Sequence, residues 1–396
     1  MPVARLLALV ALCSTASAAV PRFDTIVLDD DLCNVAVYAV ALADVDGDGL
    51  ADVVAVTENR VLWYRNPDWQ RRTIIADATE RDNVCIAPHD IDGDGQVDFA
   101  IGAGWLNGKN LGTIQWVSRG ETLDAPWRVH PIGAISWTHR MRFADVLGRG
   151  RPQLVVSPLN ATDGRAGVQL TAFAIPADPM SAPWERTVLD ESMNRMHNHW
   201  HLAVDEGQDG TLTASEEGVF WLAAPDAEPL RIGAGAEGAR AEDRGAGEIK
   251  SGRLPDGRRL LATVEPMHGH MAVVYLLPPG DAPAAARQRI VLDDTLRQGH
   301  GVWVADFTGN GVDDVVVGHR EPGTGTLRGP GVYLYEAVSA EGLEWRKHAI
   351  DDGGMAAEDL VAGDLNGDGR IDIVAGGRAT KNLKLYLNRG PDGDDR

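Results

Sequence analysis

Short apolar runs, each bounded by glycine, proline or aspartate clusters, fill most of the chain, and no long amphipathic helical pattern interrupts them. The runs recur as a unit. One strand leads into an acidic turn, a second leaves it, a third carries an aromatic residue, and a fourth ends near an aspartate. The turns begin at Asp44, Asp90, Asp145, Asp205, near Gly252, Asp306 and Asp364, which gives seven units spaced by roughly 46 to 60 residues. Third strands such as Val61-Leu-Trp63-Tyr64 and Gly218-Val-Phe-Trp221 keep the same count. The last unit ends soon after Leu387 without a fourth strand, and Phe23 to Leu28 reads as the missing one. The expectation is an all-β, seven-bladed propeller of four-stranded blades, its ring closed by an N-terminal strand that leaves no exposed edge.

The turns have their own chemistry. Asp44-Val-Asp46-Gly-Asp48-Gly-Leu-Ala-Asp52 returns as Asp90, Asp92, Asp94 and Asp98 and as Asp364, Asn366, Asp368 and Asp372, with a weaker copy at Asp306, Thr308, Asn310 and Asp314. Oxygen side chains at positions 1, 3, 5 and 9, with glycines that let the backbone curl, predict calcium-binding loops. Copies three to five have lost their ligands, and Arg149 stands where the third would need a carboxylate.

Composition narrows the setting. Arg5, the apolar run Leu6 to Leu12 and the small residues Ala16 to Ala18 predict a signal peptide over residues 1–18, hence a secreted or periplasmic protein. The propeller would then span 19–390 as one domain, with a polar tail over 391–396. No later run is long enough for a membrane span. The net charge of −21 argues against nucleic acid and anionic membranes as partners. Export permits Cys33 and Cys85 to pair, and the sequence leaves that open.

Strands of one blade alternate in direction, so the starts of the innermost strands lie about 20 Å from the acidic turns, on the opposite face. Six residues before each turn stand Tyr38, Val84, His139, His199, Ala246, His300 and Glu358; His197, His201 and Glu248 lie within two positions of that height, and Lys250 lies closer to the turn. Loops on the same face add His268, His270, His319, Arg320, Arg378 and Trp105. Eight of the eleven histidines thus gather on one face. Imidazoles with nearby carboxylates suit zinc or another divalent transition metal, and equally suit metal-free acid–base work. His89, His130 and His348 fall elsewhere, and the remaining tryptophans read as packing between blades.

The turns with their following β-runs resemble FG-GAP/VCBS repeats, which fold as propellers in adhesion proteins and in enzymes. A narrower resemblance lies in Asn83 to Asp90, Thr138 to Met141, Met196-His197-Asn198, Gly247 to Lys250, Glu265 to Gly269 and Gly299 to Trp303. These stretches are similar to the propeller of aldos-2-ulose dehydratase/isomerase and its bacterial relatives, which implies a metal-containing cleft and elimination of water from keto-sugars. The cupin domains used there for isomerisation have no counterpart in this chain. Under that resemblance His139, His197, His268 and His300 form the metal and base set. Tyr38, Lys250 and Arg320 supply the remaining acid and cationic roles, and His199, His201, Glu248 and Glu358 are candidate transition-metal ligands. The expected function is a carbohydrate lyase or dehydratase. A polysaccharide lyase acting on uronic acids and a non-catalytic, calcium-stabilised binding propeller are the competing expectations.

Overall fold

A computed structural model describes residues 21–105, 112–162, 164–204, 208–225, 227–280, 282–325 and 328–391. The expected signal peptide, the residues after Pro391, Asp205 of the fourth turn and the Cys33 side chain lie outside the described residues. Glycine and aspartate punctuation every few residues stops each apolar run at strand length, and the runs pair in sequence order. The result is seven antiparallel four-stranded sheets. Their first strands are Val37–Ala43, Cys85–His89, Thr138–Ala144, Met196–Val204, Glu248–Arg253, Gly299–Ala305 and Ala357–Gly363. Each contacts the first strand of both neighbouring sheets, so these seven surround a central channel. The seventh sheet takes its outermost strand from the other end of the chain: Pro21–Asp29 runs antiparallel to Leu383–Pro391, with Ile26 opposite Leu385.

The core is divided among the seams between blades. Seven apolar clusters each join two neighbouring blades, and the one containing Leu32, Val53, Val374 and Leu385 joins the seventh to the first. Trp63, Trp116, Trp127 and Trp184 are buried in these seams, where a large flat side chain removes the most area from water. Burial of about 1.5–3 kcal/mol for each fully covered large apolar residue is what holds blades that share no hydrogen-bonded ladder.

Each acidic turn follows the end of a first strand. Gly47 and Gly49 have φ of 78° and 89°, and a Cβ there would meet nothing within 4 Å, so conformation and not space demands glycine. The first-position carboxylate organises the turn: Asp44 Oδ1 accepts from the Gly47 and Asp48 amides at 2.7 and 3.0 Å, and Oδ2 from the Gly49 amide at 2.9 Å. The carboxylates of Asp44, Asp46 and Asp48, and those of Asp90, Asp92 and Asp94, converge within 4.8 Å.

The ninth position differs from the expectation of four equivalent ligands. Asp52, Asp98, Asp314 and Asp372 are buried and brace the backbone, each accepting from the amide just after the first aspartate at 2.9–3.0 Å. In the third turn, which keeps Asp145 but lacks carboxylates at positions 3 and 5, Gln153 holds the ninth position and accepts from the Leu147 amide, one residue further on, at 2.9 Å. That residue shapes the turn whether or not a cation binds. The fourth candidate turn is internally satisfied too: Thr308 Oγ1 donates to Asp314 and Asn310 Nδ2 to the Ala337 carbonyl.

Candidate active site in the propeller channel

Five of the seven first strands carry a β-bulge near their start, at the channel end remote from the acidic turns. In the register with the second strand, Tyr38, His139, His197, Gly301 and Glu358 have no partner opposite them. A bulge inserts one residue and changes which face each neighbour points to. It carries His197 toward the channel and leaves His199 and His201 on the other side, in the seam with blade three. There His199 Nδ1 meets Ser157 Oγ at 2.9 Å and His201 Nδ1 meets Thr211 Oγ1 at 3.1 Å. Simple alternation would put all three on one face, so His199 and His201 do not join the cluster expected of them.

The residues that do meet are His197, His268 and His300, whose ring nitrogens lie within 4.8 Å of one another. His197 and His300 are buried, and His268, in the loop after the second strand of blade five, is half-buried with φ of 47°. His139 joins from blade three, its ring centroid 4.7 Å from that of His197. His197 Nδ1 lies 2.7 Å from the Gly247 carbonyl and 3.1 Å from Glu248 Oε1. Both are acceptors, so Nδ1 carries the proton and the lone pair on Nε2 faces His268 Nε2 at 2.6 Å. Two ring nitrogens at that distance share a proton or a cation. His139 Nδ1 donates to the His197 carbonyl at 3.0 Å, so its Nε2 is the acceptor, facing Arg140 Nη1 at 3.4 Å.

Electrostatics keep the imidazoles neutral. Burial, aided by the Arg140 guanidinium, holds His139 well below the ordinary histidine range. Burial does the same to His268 and His300, with Arg320 and the neighbouring imidazoles adding to it. His197 is lowered by burial against the opposing pull of Glu248. For Glu248 burial acts upward, but the His197 hydrogen bond and the charges of Arg140 and Lys250 outweigh it, and the carboxyl stays ionised far below its usual range. Asn198 Nδ2 donates to Glu248 Oε2, Glu248 Oε1 has the 3.1 Å His197 contact, and His300 Nδ1 is buried without a hydrogen-bond partner among the described residues.

The other candidates stand around this centre. Glu358 is clamped between Arg320 at 3.0 Å and Arg378 at 2.9 Å, which occupies both its oxygens and keeps it out of the histidine set. Tyr38 lies under Arg378, and burial raises its phenol so that it stays protonated. Trp105 stands edge-on between Tyr38 and His139, with centroids 6.1 and 5.9 Å away. His319 bonds the Glu321 carbonyl at 2.8 Å against Tyr333, and His270 is exposed, so neither takes part. Among the expected bystanders, His89 stacks on Phe143, His130 packs on Trp116, and His348 bonds Glu336 at 2.7 Å.

Lys250 is not at the cluster. It lies deeper in the channel, its Nζ 4.5 Å from the Trp200 ring centroid and 5.3 Å from that of Trp303. Arg140, Arg142, Asn198, Trp200 and Asp359 share this level or support it, and the sequence reasoning missed all five. The signal was present, since each follows a bulged or cluster residue by one to three positions on a first strand.

Comparison with known proteins bears on the fold and on the middle blades. Residues 44–101 match a model described as FG-GAP-like repeat, and residues 111–277 match aldos-2-ulose dehydratase, beta-propeller domain. The second segment carries His139, His197, Glu248 and His268. An aldos-2-ulose dehydratase from Phanerodontia chrysosporium is 25% identical over 261 residues, covering 60% of this chain and 29% of that protein, so the chain spans under a third of that relative's length. The crystal structure of the extracellular domain of a putative one-component system from B. thetaiotaomicron aligns over 92% of this chain and 39% of that one, with a TM-score of 0.51 and 10% identity, a likeness of fold. The chain is a seven-bladed β-propeller with an FG-GAP-like repeat, and its middle blades resemble the propeller domain of aldos-2-ulose dehydratase.

Proposed function

We propose that the protein is an exported carbohydrate lyase that eliminates water or an alcohol from a keto-sugar or related glycoside at the histidine cluster. The observation that carries this reading is the convergence of His197, His268 and His300 within 4.8 Å in front of Glu248, inside a propeller that resembles a dehydratase's. Three imidazoles with one backed by a carboxylate fit zinc or a similar divalent transition metal, and the unpartnered His300 Nδ1 and facing His197 and His268 nitrogens give such an ion a reason to bind. When bound, it would polarise a sugar carbonyl as a Lewis acid.

The chain's own groups complete the elimination. His139, neutral and with an Nε2 lone pair that only the 3.4 Å Arg140 Nη1 contact engages, takes the proton from the carbon next to the carbonyl. Arg320, fixed by Glu358 and by Gln298 at 2.5 Å, sets a positive charge beside His268 and His300 where enolate charge develops. Tyr38 donates its proton to the departing oxygen as the C–O bond breaks and the C=C bond forms. In the same reading the three intact turns bind calcium through positions 1, 3 and 5, on the face opposite the chemistry.

The test combines metal content with turnover. Purified mature protein should retain a near-stoichiometric transition metal after mild chelation, and His268→Ala with His300→Ala should lose it. Keto-sugars and uronic glycans would be screened for the ultraviolet absorbance of an unsaturated product. Normal turnover in both variants would sink the assignment.

A further inference from the structure

Beneath the histidines the channel widens into a cavity of about 440 Å³, lined by the middle and far ends of the first strands of blades one, two, three and seven and by Trp200, Lys250 and Trp303. Its size is within the ordinary range for small-molecule sites, about 300–1,000 Å³. Three cations line or border it: Arg140, Arg142 and Lys250. In a chain with net charge −21 such a concentration needs a reason.

The carboxylates near it are already committed. Asp359 accepts from the Val40 amide through one oxygen and from the Leu360 amide through the other, both at 3.0 Å. Glu248 is taken by His197 and Asn198, and Arg140 Nη2, 3.6 Å from Glu248 Oε1, is buried with no hydrogen-bond partner. No carboxylate lies within ion-pair distance of Arg142 or Lys250 among the described residues. Arg142 bonds the Asn198 amide oxygen at 2.9 Å and lies 5.0 Å from the centroid of the Trp200 ring, whose indole Lys250 shares. The indoles, 5.8 Å apart and nearly perpendicular, hold the two cations in place without neutralising them. Burial, and then repulsion from Arg142, brings Lys250 down to about 7, while burial and repulsion from Arg140 bring Arg142 to about 10. Cys85, the other titratable group on the wall, stays a neutral thiol.

We propose that this cavity binds a small organic anion, a carboxylate or phosphate on a monosaccharide-sized molecule, with Arg142 and Lys250 as its counter-ions. A planar guanidinium and a point-charge ammonium, both within 5.0 Å of the Trp200 ring centroid, each offer donors to the oxygens of such a molecule. An anion there supplies the missing acceptors and relieves the repulsion between cations. The proposal stands apart from the elimination reading, because binding is read without turnover.

The experiment is calorimetric titration of the mature full-length protein with glucuronate, glucose 6-phosphate and uncharged glucose. At least one anion is expected to bind with an affinity that falls as salt rises, and glucose is expected not to bind. Lys250→Met, which keeps the side chain's shape, and Arg142→Gln should each weaken the anion by at least about tenfold. Lys250→Arg should keep most of the affinity. Binding of only one anion identifies the charged group the site accepts. Equal binding of glucose, no binding of either anion, or unchanged affinity in Lys250→Met would overturn the proposal.

Discussion

Cys85 is 2% exposed at the start of the innermost strand of blade two, and burial pushes its thiol up to about 12. A thiol that neither ionises nor meets solvent is inert. Iodoacetamide at pH 8 should therefore leave it unmodified in the folded protein and label it fully in urea, read by mass spectrometry. His201 gives a pH signature. Burial, with Arg142 nearby, brings it to about 3 from an ordinary 6.5. As pH falls below 6.5 the unfolded chain takes up a proton that the folded state refuses. Its contribution is thus present above about 6.5 and is lost toward about 3. Each pH unit in that window costs about 1.4 kcal/mol. Urea unfolding of wild type and His201→Gln should show their stability difference shifting by about 2 kcal/mol in the variant's favour between pH 7 and pH 5.

At the scale of the element, the bulged strand starts and the acidic turns divide what the sequence could reveal. Strand count and turn position were legible because apolar runs and aspartate–glycine spacing are local signals. The height of His139, His197, Glu248 and His300 followed from counting back along a strand. Direction did not, because the bulges at Tyr38, His139, His197, Gly301 and Glu358 depend on pairing with a second strand. For the same reason His199 was not separable from His197. The turns differ among themselves in a way only the fold reveals. Arg65 bonds Asp46 at 2.5 Å and Asp48 at 3.3 Å in the first turn, and Arg370 bonds Asp368 at 2.7 Å in the seventh. No cationic side chain pairs with Asp90, Asp92 or Asp94 among the described residues, so the second turn holds the least compensated charge. Chelation should lower the melting temperature, and Asp92→Asn should remove a larger share of the calcium-dependent gain than Asp46→Asn, as scanning calorimetry with and without calcium would show. An equal loss in both would mean that the guanidinium does not compete with the ion.

At the scale of the whole molecule, stability depends on how the two ends of the chain meet. Blades touch only through their seams, so a ring with one weak seam can open there. Pro21–Asp29 strengthens the seam between blades seven and one in three ways. It pairs along Leu383–Pro391, and it sends Ile26 and Leu28 into the cluster with Leu383 and Leu385. At its end Asp29 reaches blade one, accepting from Tyr64 Oη and Arg71 Nη1, both at 2.8 Å. Removing residues 21–29 would expose the backbone of Leu383–Pro391 as an unpaired edge, a template for association between molecules. The truncated protein should unfold at a lower temperature and aggregate on heating, read by calorimetry and light scattering. Ile26→Ala, which keeps the ladder and removes only partly buried apolar contact, should cost about 1–2 kcal/mol and stay monomeric. If the truncation melted no lower than Ile26→Ala, the seam would owe its strength to side chains alone, and the strand pairing would be dispensable to the ring.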